Sequence, residues 1–395
     1  MSETEALTFP TGRPTPFDPP DALAELRESR PLARLDYPDG HRGWLATSHA
    51  LVREVLADRR FSARSELRHI PIESGGAGQP SPPGMFIGMD PPEHTRYRHL
   101  LTGEFTVRRM RRLSERIEEI TEERLDLMER QGPPADLVEA FTAPVPAVVI
   151  CELLGVAEED RVGFMSQGTR LTRQDLSQEE KISTFLALQA HMRELIVAKR
   201  ARPADDMLSG LAQSDLTDEE LANIGFMLLG AGLDTTANML ALGTFALLRH
   251  PGQLALLRDD PGRVDQVVEE LMRYLGVIPF LVRTALEDVE LGGELVAKGE
   301  TVTVSLQAAN RDPSRFPDPD TLDVLRDTAG HVGFGHGVHQ CLGQQLARVE
   351  MRAGFPALFR RFPSLRLAAA PDEVPLRTDM LIYGVHSLPV TWDTT

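Results

Sequence analysis

The amino-acid sequence predicts a mainly α-helical fold with a smaller β portion, organised around one long central helix. Three observations lead there. From Pro92 to about Leu257, apolar residues recur at spacings of three and four, the period of helices that bury one face. Within that stretch Thr217-Asp218-Glu219-Glu220 forms a capping box, threonine at the N-cap and glutamate at the third helical position. The apolar pattern it opens continues to Leu248, where His250-Pro251 stops it. Strand-like segments are short and gather near residues 30–50, 280–306 and 376–395.

Taken in order, residues 1–20 are rich in proline and glycine and read as extended chain. Strands are expected at Leu32–Leu35 and Gly43–Thr47. Residues 70–92 carry Gly75-Gly76 and Pro82-Pro83-Gly84 and read as a long loop, a candidate lid or substrate wall. At 1.5 Å per residue, the helix beginning after Thr217 is roughly 45–50 Å long, enough to cross a whole domain. Its centre, Phe226 to Leu233, is apolar almost all round and is therefore expected to be buried. A helix over Val264 to Leu275 precedes strands at Leu281–Thr284, Val289–Leu291 and Thr301–Leu306. A proline-rich meander covers Asp312 to Pro319, one more helix follows Cys341, and the C-terminal strands include Leu381–Tyr383. No repeat or long linker divides the chain, so residues 1–395 are expected to form a single domain, α-rich over about 92–275 and 342–362.

Composition narrows the function. The 395 residues carry a net charge of -17, which argues against nucleic acid and against an anionic membrane as the main partner. Lys181, Lys199 and Lys298 are the only lysines, a bias toward arginine that suggests a GC-rich coding background. Two cysteines in so long a chain are not a disulfide framework, and Cys151, inside an apolar run, reads as a buried small hydrophobe. The polar start Met1-Ser2-Glu3-Thr4-Glu5 lacks the features of a signal peptide, and no uninterrupted apolar run approaches the ~20 residues of a bilayer span. A cytoplasmic monomer is expected.

The most informative stretch is His331-Val332-Gly333-Phe334-Gly335-His336-Gly337-Val338-His339-Gln340-Cys341-Leu342-Gly343. Its glycines permit tight turns and close approach to a flat ligand. Cys341 stands just before a helix, where N–H groups and the helix dipole favour thiolate, the ligand that haem iron needs for O–O cleavage. Two other readings of these residues remain: a buried cysteine in a glycine-rich turn, and a zinc site drawn from His331, His336, His339 and Cys341. The order Phe334-Gly335-x-Gly337-x-His339-x-Cys341-x-Gly343 resembles the cysteine-ligand loop of the cytochromes P-450. That resemblance implies a triangular haem domain with haem b on Cys341, Phe334 and Gly343 lying against the cofactor.

Three further stretches agree with it. Ala231-Gly232-Leu233-Asp234-Thr235-Thr236 lies in the middle of the long helix, where glycine and paired threonines cost helix propensity and an acid needs a partner or a task. Thr235 can donate to the carbonyl of Ala231, four residues back, and locally open the helix. The stretch resembles the family's oxygen-activation segment, which implies Asp234 and Thr235 as the acid and alcohol of proton delivery and Ala231 beside the cofactor. Glu270-Leu271-Met272-Arg273 resembles the E-x-x-R pair, whose glutamate and arginine share a helix face and join an arginine of the meander. Leu322 stands where the family usually has phenylalanine. His94 and Arg98, on one face of the helix after Pro91-Pro92, suit carboxylates, and the resemblance implies that they bind the haem propionates together with Arg283 and His339.

The resemblance covers nearly the whole chain and lies nearest to soluble actinomycete members that tailor polyketides and other secondary metabolites. It implies a monooxygenase that inserts one oxygen atom of O2 into an apolar natural product, first a polyketide or macrolide, with a terpenoid as alternative. A peroxide-driven peroxygenase and a non-catalytic haem or zinc binder are the competing classes. No flavin or nicotinamide domain is present, so electrons are expected from a ferredoxin and its reductase. Arg108, Arg109, Arg111, Arg112, Arg348 and Arg352 are candidate docking residues. The family places its substrate walls where this chain has Met85, Phe86, Ile87, Leu171, Phe226, Met227, Ile278, Phe280, Leu281, Leu381 and Ile382.

Overall fold

The computed structural model describes residues 7–72, 78–104, 107–171, 177–378 and 380–394. Gly75-Gly76 and the side chains of Arg108, Arg109 and Leu171 lie outside the described residues. The fold is mainly α, as expected. Helices Glu93–Glu104, Val107–Gln131, Pro144–Leu154, Glu158–Leu171, Gln178–Ala201 and Met207–Leu211 lead to the central helix Asp218–Arg249. Pro251–Asp259 and Val264–Tyr274 follow it, and Gln344–Arg361 comes after the cysteine loop. The strands are β1 (Leu32–Asp36), β2 (Arg42–Ala46), β3 (Phe61–Ser62), β4 (Ala135–Asp136), β5 (Phe280–Ala285), β6 (Val289–Leu291), β7 (Glu294–Val296), β8 (Thr301–Ser305), β9 (Arg366–Leu367) and β10 (Pro389–Thr391).

The main sheet has the order β1-β2-β8-β5-β3, with β2 and β8 parallel and the other pairs antiparallel. Side chains alternate between its faces. Trp44 and Ala46 enter one apolar cluster with Val302, Val304 and Leu56, whereas Leu45, Phe280 and Val282 enter another with Phe9, Leu23 and Leu35. A larger core surrounds the central helix. There Gly243 lets the helix Gln344–Arg361 cross closely, since a Cβ would meet Phe355 Cζ at 2.6 Å.

The central helix begins with the expected capping box. Glu220 accepts from the Thr217 N–H at 2.7 Å, and the Thr217 hydroxyl accepts from the Glu220 N–H at 3.2 Å. The same carboxylate also accepts from Arg96 and from the Tyr97 hydroxyl, both at 2.7 Å, tying the helix Glu93–Glu104 to the central helix. Burial pushes the Glu220 carboxyl up, but the Thr217, Tyr97 and Arg96 donors outweigh it and hold it down to about 2. A folded-state value below the unfolded one stabilises the fold at pH above the ordinary glutamate value of ~4.3, and that contribution is lost as the pH falls through about 2. Glu220→Gln is therefore expected to melt below wild type near pH 7, with the gap closing toward pH 2. A gap that is constant across that window counts against the assignment.

Three expectations are corrected. The middle of the central helix is not buried throughout: Leu229 is buried, but Gly230 and Ala231 are exposed and Phe226, Met227 and Leu228 are half-buried. Apolar residues all round signal removal from water, but they line an internal opening as readily as they fill a core. The helix is nonetheless continuous, although Thr235 donates to the Ala231 carbonyl at 2.8 Å. Leu381–Tyr383 forms a bend rather than a strand; the chain returns through an isolated bridge between Leu376 and Val385. Among the described residues, the central helix alone is long and apolar enough to cross a membrane, and half of that window is buried inside the fold.

The meander packs beneath this framework. Glu270 and Arg273 have side chains with no exposure at all and pair at 2.7 Å. Arg273 also donates to the carbonyls of Asn310 and Pro319, each at 2.8 Å. The arginine that completes the network is Arg326, at 3.4 Å from Glu270. Leu322 is buried.

Candidate active site

The cysteine loop is a folded-back turn. The Val332 N–H is held by Asn310 Oδ1 at 2.8 Å, and the Asn310 carbonyl in turn accepts from Arg273, so the buried ion pair braces the loop. Gly335 and Gly337 have φ of 72° and 74°, a region that favours glycine. The Cys341 N–H closes the loop on the Phe334 carbonyl at 2.9 Å. The glycines do not all serve a ligand. A Cβ on Gly337 would lie 2.2 Å from the Leu56 carbonyl oxygen, and one on Gly333 2.5 Å from that of Met272, so both are required by packing against backbone. Gly343 has nothing within 4 Å and is the open one. Phe334 lies beneath the Arg348 guanidinium at 4.3 Å.

Cys341 is open at the side chain yet sits in a dense shell. Burial pushes its thiol up, against the Gly343 N–H and the charges of Arg98 and Arg348, which pull it down. The depressed thiol expected from the helix N-terminus alone is thus offset by desolvation. Coordination to a metal deprotonates such a thiol outright.

His94, Arg98, Arg283 and His339 converge as expected. The His94 and His339 rings are 4.0 Å apart. Burial, then the neighbouring guanidiniums, push His94 down to about 4 and His339 down to about 3, so both are neutral near pH 7. Both ring nitrogens of His94 are buried without a hydrogen-bond partner. Arg283 is buried, and its only side-chain bond among the described residues goes to the Val282 carbonyl. Asp90 acts on His94 and Arg283 through space, but its oxygens are taken by Ser62 and Ala63, and buried donors and positive charge are costly unless an anion satisfies them. This arrangement fits the two carboxylates of a haem, as Cys341 fits its iron.

On the central helix, Asp234 is not free. Arg377 grips its carboxylate through two bonds, at 2.6 and 2.8 Å, and Asn238 donates a third at 3.0 Å. Thr235 remains open toward solvent-accessible space. Next to it, Thr236 hydrogen-bonds Glu350, whose carboxyl burial pushes up to about 8, linking the helix centre to the helix behind Cys341.

Compared with known proteins, residues 263–384 match the family model described as Cytochrome P450. Over its full length the chain is 47% identical to Cytochrome P450 105C1 of a Streptomyces species, covering 99% of this chain and 100% of that protein. The chain belongs to the cytochrome P450 family. As a cytochrome P450 it is an oxidoreductase of the monooxygenase type, and haem-thiolate chemistry comes with the family. It is also 43% identical to pentalenic acid synthase of Streptomyces avermitilis, covering 99% and 98% of the two chains. The crystal structure of CYP105P1 in complex with filipin I superposes with a TM-score of 0.93 at 42% identity, covering 99% of this chain and 100% of that one.

Within this cytochrome P450 the other expected residues divide. Leu281 and Phe280 point to opposite faces of β5; Leu281 lies near Gly335, whereas Phe280 packs on Phe9 at 4.9 Å in the core, so Phe280 is not a wall of the site. Ile278 packs beside Leu281 against the sheet cluster. Phe86 is buried against Tyr97, Met85 and Ile382 are half-buried, and Ile87 and Leu381 are exposed. Phe226 meets Phe185 of the helix Gln178–Ala201 at 4.9 Å, and Met227 is half-buried beside it. No three His, Cys, Asp or Glu residues converge as a metal site among the described residues, and His331 turns to Glu269 at 2.9 Å. Of the docking arginines, Arg112 pairs with Asp205, Arg348 with Glu269 and Arg352 with Asp265, while Arg111 is exposed. Sequence reasoning missed Arg377 and Arg68; neither stands in a local pattern.

Proposed function

We propose that this chain is a single-domain haem-thiolate monooxygenase that inserts one atom of O2 into an apolar natural product, first a polyketide or macrolide. The observation that carries the reading is the cradle of His94, Arg98, Arg283 and His339 beside the open Cys341, since it offers donors for two carboxylates and a sulfur for one iron. Haem b bound there supplies dioxygen activation, with the thiolate favouring O–O cleavage. The chain's own part is positioning. Thr235, its proton engaged by the Ala231 carbonyl, presents its lone pairs and accepts a hydrogen bond. Asp234, paired with Arg377 and Asn238, holds the helix centre in register with the C-terminal loop. Exposed Gly230 and Ala231 leave the helix face flat, which suits a bulky substrate.

The filipin I complex of CYP105P1 supports the polyketide choice by similarity; pentalenic acid synthase supports the terpenoid alternative. Electrons are taken to come from a ferredoxin and its reductase, and the protein to act as a cytoplasmic monomer. A spin-state titration of purified protein against a panel of macrolides and terpenes tests the substrate class. A macrolide is expected to shift the Soret band at lower concentration than any terpene, followed by oxygenated product with O2 and a reductase system. Equal turnover with peroxide alone favours the peroxygenase reading, and a tighter terpene reverses the substrate choice.

A further inference from the structure

Arg68 belongs to the segment that follows β3, and two contacts fix it beside the carboxylate cradle. The Thr284 hydroxyl, next to Arg283 on β5, donates to the Leu67 carbonyl at 2.7 Å. The Arg68 guanidinium donates to Ser65 Oγ at 2.6 Å, and that oxygen also bonds Ser81 Oγ at 2.7 Å, so the side chain is held rather than trailing in solvent. Its charge is felt by both Arg283 and His339.

The local acids are already engaged. Glu66 pairs with Arg64, and Asp90 accepts from the Ser62 hydroxyl and the Ala63 N–H, so that Glu66 reaches Arg68, and Asp90 reaches Arg283, only through space. Arg68, Arg98 and Arg283 have no carboxylate within ion-pairing distance among the described residues. Three guanidiniums therefore surround His339 in one partly desolvated place, with only the through-space charge of Glu66 and Asp90 against their mutual repulsion, which a bound anion relieves.

We infer that Arg68 is a third guanidinium of this cradle and binds a carboxylate there. The inference rests on the reading of the cradle as a haem site. Two sources offer that chemistry: a haem propionate shared with Arg98 and Arg283, or the carboxylate of an acidic substrate, since three positive charges exceed the two of the propionates.

Haem release to excess apomyoglobin separates them. Arg68→Ala is expected to lose haem about tenfold faster than wild type, with Arg68→Lys in between. Haem dimethyl ester, which lacks the carboxylates, is expected to leave the wild type fast and to show little further change in the variant. If the variant loses haem and its dimethyl ester faster by the same factor, Arg68 acts through loop packing and the inference is overturned. If haem release is unchanged but the spin-state affinity for laurate falls while that for methyl laurate does not, the carboxylate belongs to substrate and the inference holds in that form. No change in either arm overturns it. Melting of the apo forms controls for folding, and Arg68→Gln replaces the alanine variant should that melt be lost. Wild-type protein that takes up no haem overturns the site reading and this inference with it.

Discussion

Cys341→Ser is expected to abolish monooxygenation and to remove the red-shifted Soret band of the reduced carbon-monoxide adduct, while far-UV circular dichroism stays near that of wild type. The loop is shaped by Gly335 and Gly337 and closed by the Cys341 N–H on the Phe334 carbonyl, none of which uses the sulfur. Serine therefore keeps the turn. What it removes is the one soft anionic ligand open in the site, and with it the electron density that favours O–O cleavage. A serine hydroxyl, harder to ionise than a thiol, does not replace it. A variant that retains the shifted band would show that the iron is held elsewhere.

Arg273→Ala is expected to destabilise the fold severely. Glu270 and Arg273 have no exposure, so removing the arginine strands a buried carboxylate, at a cost of roughly 3–5 kcal/mol. Arg326 moderates this only weakly, because it reaches Glu270 at 3.4 Å while its other donors serve meander carbonyls. The carbonyl of Asn310 also loses its donor, and Asn310 holds Val332 of the cysteine loop. The variant should thus melt well below wild type and be purified with less haem per chain. The double variant Glu270→Leu/Arg273→Leu, which leaves neither charge behind, should recover part of the melting temperature. A single variant that melts within a degree of wild type would show that the network does not hold the fold.

Features written in consecutive residues were legible in advance. The capping box of Thr217 and Glu220 is one, because both partners lie within a single turn. The cysteine loop, with its ordered glycines, is another, and the pairing of Glu270 with Arg273 is a third. Periodicity was less informative at the helix centre. The run from Phe226 to Leu233 looks identical whether it fills a core or borders an opening, so its exposure at Gly230 and Ala231 could not be read from hydropathy. On β5, alternation does decide that Phe280 and Leu281 face opposite ways, but not which of them meets the site.

The sequence by itself determined the helical class, the position of the long helix and the thiol before the last long helix, since each depends on neighbours within a few positions. The tertiary structure alone decided that Arg377 holds Asp234 across 143 residues of chain, that Arg326 completes the buried pair and that Arg68 stands beside Arg283. Charge pairing acts through space and over a few ångströms. Which of many arginines reaches a given acid is set by how the chain packs, and no local pattern encodes it.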